Sequence, residues 1–272
     1  MTPRIRIGNQ TAISCADRME PFIFALRNGF DAFEWFADKK TRPDGTVAGW
    51  DEMDMDAAAR AWIREAGQAS DVRFTVHAPW QANPLHAEGI ERLFLSLEFA
   101  QDIGADLVNF HLYMDEGADG YVRSLMSLIR RAAGAGLRLT LENTPLTTPA
   151  DFNQTFALLA ATDAVPPGTV GMCLDIGHAN LCATTHNDFL RYLDELEPVV
   201  PLYHLHVHEN HGDADSHLTL FTGPAGGDDA AIRGFVDRLR RRAYEGAMIP
   251  EQWPDPPELL VAAAVRLRDL LV

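Results

Sequence analysis

Short runs dense in branched and aromatic residues recur along the chain, separated by longer stretches whose apolar positions return every three or four residues. The short runs are RIRIGN (4–9), AFEWF (32–36), RFTVHAP (73–79) and DLVNFHL (106–112), then LRLTLEN (137–143), TVGMCLD (169–175), LYHLHVH (202–208) and AMIPEQW (247–253). Each reads as a strand covered on both faces. The spacing predicts a helix over 54–69 with Ala58, Ala61, Trp62 and Ala66 on one face, and another over 90–103 with Leu93, Leu97, Ala100 and Ile103 inward. Gly104, Gly136 and Gly246 stand where a helix should stop before the next strand. Eight strands and eight helices in strict alternation, at about 30 residues per unit, predict a (β/α)8 TIM barrel occupying 1–272 as one domain. The competing fold is a doubly wound open sheet, which usually carries a glycine-rich phosphate loop after its first strand. Here that position reads Ile7-Gly8-Asn9-Gln10-Thr11.

The polar exceptions to this pattern gather at the strand ends. His77 ends the third strand, His111 the fourth, Glu142 with Asn143 the fifth, and Asp175 the sixth, with His178 just after it. His206 and His208 end the seventh, Asp213, Asp215 and His217 follow in its loop, and Glu251 ends the eighth. In a parallel barrel the C-terminal strand ends open on one face. Six of eight strands would therefore deliver an imidazole or a carboxylate to one mouth. Carboxylates packed so closely repel and are costly to desolvate. Cations resolve the conflict, and mixed His, Asp and Glu donors suit zinc or manganese, with one ion or more.

Composition changes this picture in two ways. The 39 acidic residues outnumber the 23 basic ones for a net charge of −16, which argues against a nucleic-acid partner. The densest basic group, Arg238, Arg240, Arg241 and Arg242, falls on the expected seventh helix and reads as an outer face. Three scattered cysteines (Cys15, Cys173 and Cys182) suit a reducing cytoplasm, and no apolar run approaches a membrane span. Cys173 reads as a packing thiol, and His86, His186 and His211 as surface or supporting residues.

At the strand ends the sequence resembles the xylose isomerase-like TIM-barrel superfamily, which includes D-tagatose 3-epimerase-type sugar epimerases and the abasic-site enzyme endonuclease IV. The resemblance covers essentially the whole chain through VHAPW (76–80), FHLY (110–113), LENTP (141–145), CLDIGHAN (173–180), HLHVHEN (204–210), DSHL (215–218) and PEQW (250–253). It implies a metal site of Glu142, Asp175, His206 and Glu251, with Glu142 and Glu251 as the catalytic pair. It also implies second-ion ligands at His77, His111, His178, Asp215 and His217. Expected substrate contacts are Glu34, Trp80, Tyr113, Asn143, His178 and His208, and Asn143 and Asn180 are expected to orient ligands. Glu34 has a second expected role, holding a ligand histidine. Two elements depart from the family. No Gly-Glu-Gly follows Asp215-Ser216-His217, and residues 207–217 contain no Arg or Lys.

The resemblance implies a metal-dependent isomerase or epimerase that moves a proton at a carbon next to a carbonyl of a small sugar. The alternative is a multi-zinc phosphodiesterase of the endonuclease type, favoured by the extra histidines and opposed by the acidity. A metal-retaining barrel that only binds carbohydrate is a third possibility, opposed by the presence of both glutamates.

Overall fold

The computed structural model describes residues 5–11, 15 and 17–272. Eight parallel strands close into a barrel: Arg6–Gln10, Ala32–Phe36, Arg73–His77, Leu107–His111, Arg138–Glu142, Val170–Asp175, Leu202–Val207 and Ala247–Pro250. Each pairs with its neighbours in sequence, and the first closes on the eighth at Arg6↔Ala247. Helices cross back between them. The sixth and seventh units are split, with Ile176–Leu181 ahead of Phe189–Glu195 and Pro224–Gly227 ahead of Ala230–Arg241. A small antiparallel hairpin, Lys40–Thr41 with Val47–Ala48, projects from the loop after the second strand. With two residues per strand, it carries no alternation from which a sequence pattern could reveal it. Among the described residues no helix is long and apolar enough to cross a membrane.

The core is a shell of aliphatic and aromatic side chains between strands and helices. Leu93, Leu97, Ala100 and Ile103 are buried as their spacing predicts. The helix Ala57–Ala69 turns differently. Its buried residues are Ile63 and Gly67, whereas Ala58, Ala61 and Trp62 are exposed. Alanine carries little directional information, and Gly67 sets the face because a Cβ there would stand 2.3 Å from the Phe74 ring. Gly104 and Gly136 close their helices in the left-handed region, at φ 73° and 70°. Gly246 serves another purpose. Its helix has already ended at Arg241, and a Cβ at Gly246 would strike the Tyr203 carbonyl at 2.4 Å.

Inside the barrel a small apolar group, Ala32, Ala247 and Ile249, adjoins a set of polar side chains. Glu34, Thr75, Asn109, Thr140 and His204 are all buried, each on its strand's inward face. Thr75, Asn109, Thr140, Cys173 and His204 each precede by two positions a residue of the strand-end cluster. Strand alternation therefore stacks them one layer below it.

Candidate metal centre

Four of the imidazoles are fixed by a hydrogen bond at one ring nitrogen. His77 Nδ1 lies 2.7 Å from the Ala78 carbonyl, His178 Nδ1 2.8 Å from the Asn143 carbonyl, and His217 Nδ1 2.9 Å from the Glu251 carbonyl. A carbonyl can only accept, so each of these nitrogens carries a proton, and in the neutral ring that a metal ion would bind, each Nε2 presents a lone pair. His206 is reversed: its Nε2 donates to Glu34 Oε1 at 2.7 Å, leaving Nδ1 free. Imidazoles anchored through one nitrogen, with the other aimed at carboxylates, are how proteins hold metal ligands.

The free nitrogens converge on Glu142. His77 Nε2 lies 3.1 Å and His206 Nδ1 3.3 Å from Glu142 Oε2, while His111 Nε2 lies 3.6 Å from Oε1. Glu251 Oε2 is 3.5 Å and Asp175 Oδ2 4.0 Å from His206 Nδ1. One donor atom each from His77, Glu142, His206 and Glu251 falls within 4.8 Å of the others. Within this group Glu142 Oε1, His206 Nδ1 and Glu251 Oε2 are buried and make no hydrogen bond. Buried lone pairs facing one another without a proton between them are unfavourable. A divalent cation satisfies all three, so the residues fit zinc or manganese.

A second cluster adjoins the first. His178, His208, Asp215 and His217 also bring donor atoms within 4.8 Å of one another. His178 Nε2 is 3.3 Å and His217 Nε2 3.2 Å from Asp215 Oδ2, and His208 Nε2 is 3.1 Å from Asp175 Oδ2. The rings of His208 and His217 stack at 3.9 Å with 6° between their planes. The loop that carries His217 is held by Glu209, which pairs with Leu218 and accepts from the amides of Gly223 and Ala225. The His208 ring lies flat against Gly177, where a Cβ would stand 2.0 Å from its Cε1. Gly177→Ala should therefore displace His208, costing about 1–3 kcal/mol of stability. Elemental analysis should show this variant losing metal from the second cluster while keeping the ion at Glu142. Unchanged metal content would mean that His208 is no ligand.

Burial opposes charge on Glu142, yet His206, His111 and His77 hold its carboxyl well below the usual range. Glu251 moves the other way. Its burial and the charges of Glu142 and Asp175 outweigh the pull of His206 and His217. Burial also works against His217, but Asp215 and Glu251 push its pKa up to about 9.

Seven of the nine residues expected to hold ions lie in these two groups; Asp175 stands between them, 4.0 Å from His206 Nδ1 and 3.1 Å from His208 Nε2, and His111 reaches Glu142 at 3.6 Å. Trp80 and Tyr113 line a cavity of about 780 Å³ above them, with His77, His111, His178, Asp215, His217 and Glu251 at its floor. The Tyr113 hydroxyl donates to the Trp80 carbonyl, which ties the two rims together. Three residues expected to meet substrate are placed elsewhere. Glu34 is fully buried below the cluster and accepts from His204, His206 and Thr75, so its position suits the ligand-holding role. Asn143 spends its side-chain amide on the backbone of Asp175, at 2.8 and 2.9 Å. His208 faces Asp175 and the second cluster. Asn180 reaches the Asn210 side chain, and Asn210 the Gly177 carbonyl, joining the sixth and seventh loops. His86, His186 and His211 are exposed. Cys173, expected only to pack, brings its sulfur within 4.8 Å of nitrogens of His204 and His206. Sequence reasoning missed the supports beneath: Asn109 donates to Glu142 Oε2, and Thr140 to Asn109 at 2.8 Å.

Comparison with known proteins agrees with the fold. Over 204 residues the chain is 23% identical to the protein MJ1311 of Methanocaldococcus jannaschii, covering 69% of this chain and 67% of that one. A D-tagatose 3-epimerase-like protein superposes with a TM-score of 0.71 at 20% identity, over 98% of this chain and 97% of its own. The TTHB071 protein of Thermus thermophilus, soaked with ZnCl2, gives a TM-score of 0.66 at 24% identity over 98% of each chain. The xylose isomerase-like TIM barrel family matches residues 22–270, and the chain belongs to that family.

Proposed function

We propose that the protein is a metal-dependent isomerase or epimerase acting on a small sugar or sugar derivative. The observation that carries this reading is the pair of buried carboxylates, Glu142 and Glu251, that flank His206 Nδ1 beneath the cavity. A zinc or manganese ion held by Glu142, Asp175, His206 and Glu251 would supply Lewis-acid polarisation of a substrate carbonyl. Proton movement falls to the chain. One carboxylate takes the proton from the carbon beside the carbonyl, and the other returns a proton to the opposite face of that carbon or to its neighbour. The first outcome is epimerisation, the second isomerisation. The two glutamates come from the fifth and eighth strands, so they approach a bound molecule from different sides.

The walls suit a small neutral ligand. Trp80 offers a ring face, and burial together with Glu142 and Asp115 pushes the Tyr113 phenol up to about 12, so it stays neutral, its proton given to the Trp80 carbonyl and its oxygen left to accept. Among the described residues lining the cavity, Lys40 is the one Lys or Arg, and Asp38 engages it at 2.7 Å, leaving no free lysine or arginine there to grip a nucleic-acid backbone. The D-tagatose 3-epimerase-like relative supports the same substrate class. A second reading, a multi-zinc phosphodiesterase, is favoured by the second cluster, which a one-ion epimerase does not need.

The metal-loaded protein should wash deuterium from solvent into at least one member of a ketose and aldose panel. Glu251→Gln should slow the exchange by about a hundredfold or more, while a duplex with an abasic site stays intact. Metal-dependent cleavage of that duplex with no exchange into any sugar would overturn the reading in favour of the phosphodiesterase.

A further inference from the structure

The opposite end of the barrel carries a second cavity, of about 720 Å³, which shares no lining residue with the metal site. Arg73 opens the third strand and Arg138 the fifth, Tyr203 lies near the start of the seventh, and Arg242 follows the helix Ala230–Arg241. All line this cavity, against a single carboxylate, Glu245. In a chain of net charge −16, a basic cavity has to be built locally.

The three arginines differ in what already occupies them. Arg73 pairs with Asp106 at 2.7 Å. Arg242 Nη2 spans the carbonyls of Leu193 and Leu196 at 2.9 and 3.0 Å, at the end of the helix Phe189–Glu195. A cation at a helix C-terminus is an ordinary structural device, and it accounts for Arg242. It does not account for Arg138. Among the described residues Arg138 has no carboxylate partner and its side chain donates to no carbonyl. It is half-buried, with its guanidinium 5.2 Å over the Tyr203 ring. One face of the guanidinium is stacked, and its N–H edges remain available. That fork suits the paired oxygens of a phosphate. Leu196, Val200 and Leu202 give the same cavity an apolar wall.

We propose that this cavity is a second binding site, for a small organic phosphomonoester, with Arg138 as its principal anion contact, Arg73 beside it and the apolar wall against the organic body. The ligand is recognised away from the metal centre, so the site is independent of the reaction proposed above.

Phenyl phosphate titrated calorimetrically into metal-loaded protein tests this, with inorganic phosphate as the charge-only probe. Saturable binding at about 1 mM or below is expected, weaker for inorganic phosphate. Arg138→Gln should weaken it about tenfold or more, and Arg138→Lys by less, because Lys keeps the charge and loses the fork. Bound metal should be unchanged in both variants, and Trp80→Ala, at the other mouth, should bind phenyl phosphate as the parent does. Absence of saturable binding would overturn the proposal. So would binding that Trp80→Ala abolishes and Arg138→Gln leaves intact, or equal affinity for the two probes.

Discussion

Glu142→Ala should empty the first cluster, leaving that site below about a tenth of the parent's occupancy. No other side chain in the cluster faces so many ligands. Its two oxygens lie within 3.1–3.6 Å of His77, His111, His178 and His206. Asp215→Ala reaches only the second cluster, so it should lose part of the metal and keep the ion at Glu142. Stability should follow. An ion present at about a thousand times its dissociation constant stabilises by about 4 kcal/mol, and each kcal/mol is worth about 2–4 °C in a chain of this size, so a chelator should lower Tm by about 8–16 °C. Glu142→Ala should lose less on chelation than the parent does, since the linkage at the first cluster is already gone. Elemental analysis beside thermal melts checks both statements. Full metal content in Glu142→Ala, or a parent Tm indifferent to chelator, would remove the metal centre from the proposed function.

The barrel is legible in the sequence because its signal is redundant. Eight strand-like runs each keep their place to within a few residues, and the donors at their C-terminal ends have to share a face once the strands are parallel. Less redundant signals fail. The face of Ala57–Ala69 is misjudged from spacing because three of its four expected inward residues are alanines, while Ile63 and Gly67 decide it. The layer beneath the cluster has a usable signal, since Thr75, Asn109, Thr140, Cys173 and His204 each stand two residues before a cluster residue. Their types give no reason to separate them from packing. Asn143 and His208 lie beside donors in sequence and look equally able to meet a substrate. Only the fold shows that one is consumed by the Asp175 backbone and the other by the second cluster. Of the first loop, residues 12–14 and 16 lie outside the described set.

Glu34 should prove the most sensitive position that touches neither the cavity nor a free cluster nitrogen. Its carboxylate takes His206 Nε2 on one oxygen at 2.7 Å, and His204 Nε2 and Thr75 Oγ1 on the other at 2.7 and 2.8 Å. Burial opposes its charge, but the two imidazoles hold its pKa well below the usual range, so Glu34 accepts from both rings. That acceptance places the His206 proton on Nε2 and keeps Nδ1 open toward Glu142 and Glu251. In Glu34→Gln the amide can accept from only one of the rings. If its NH2 group faces His206, the proton moves to Nδ1 and the ligand is lost. Metal affinity, measured by competition with a chelator, should fall about 10- to 100-fold. The metal-free Tm should change much less, because a Gln of equal volume keeps the packing. Glu34→Ala should behave differently. With two buried imidazoles unpaired and a void left, it should cost about 3–5 kcal/mol even in the metal-free protein. If Glu34→Gln kept full metal affinity while Glu34→Ala unfolded, Glu34 would be a buried structural charge, and the orientation of His206 would have to be set by something else.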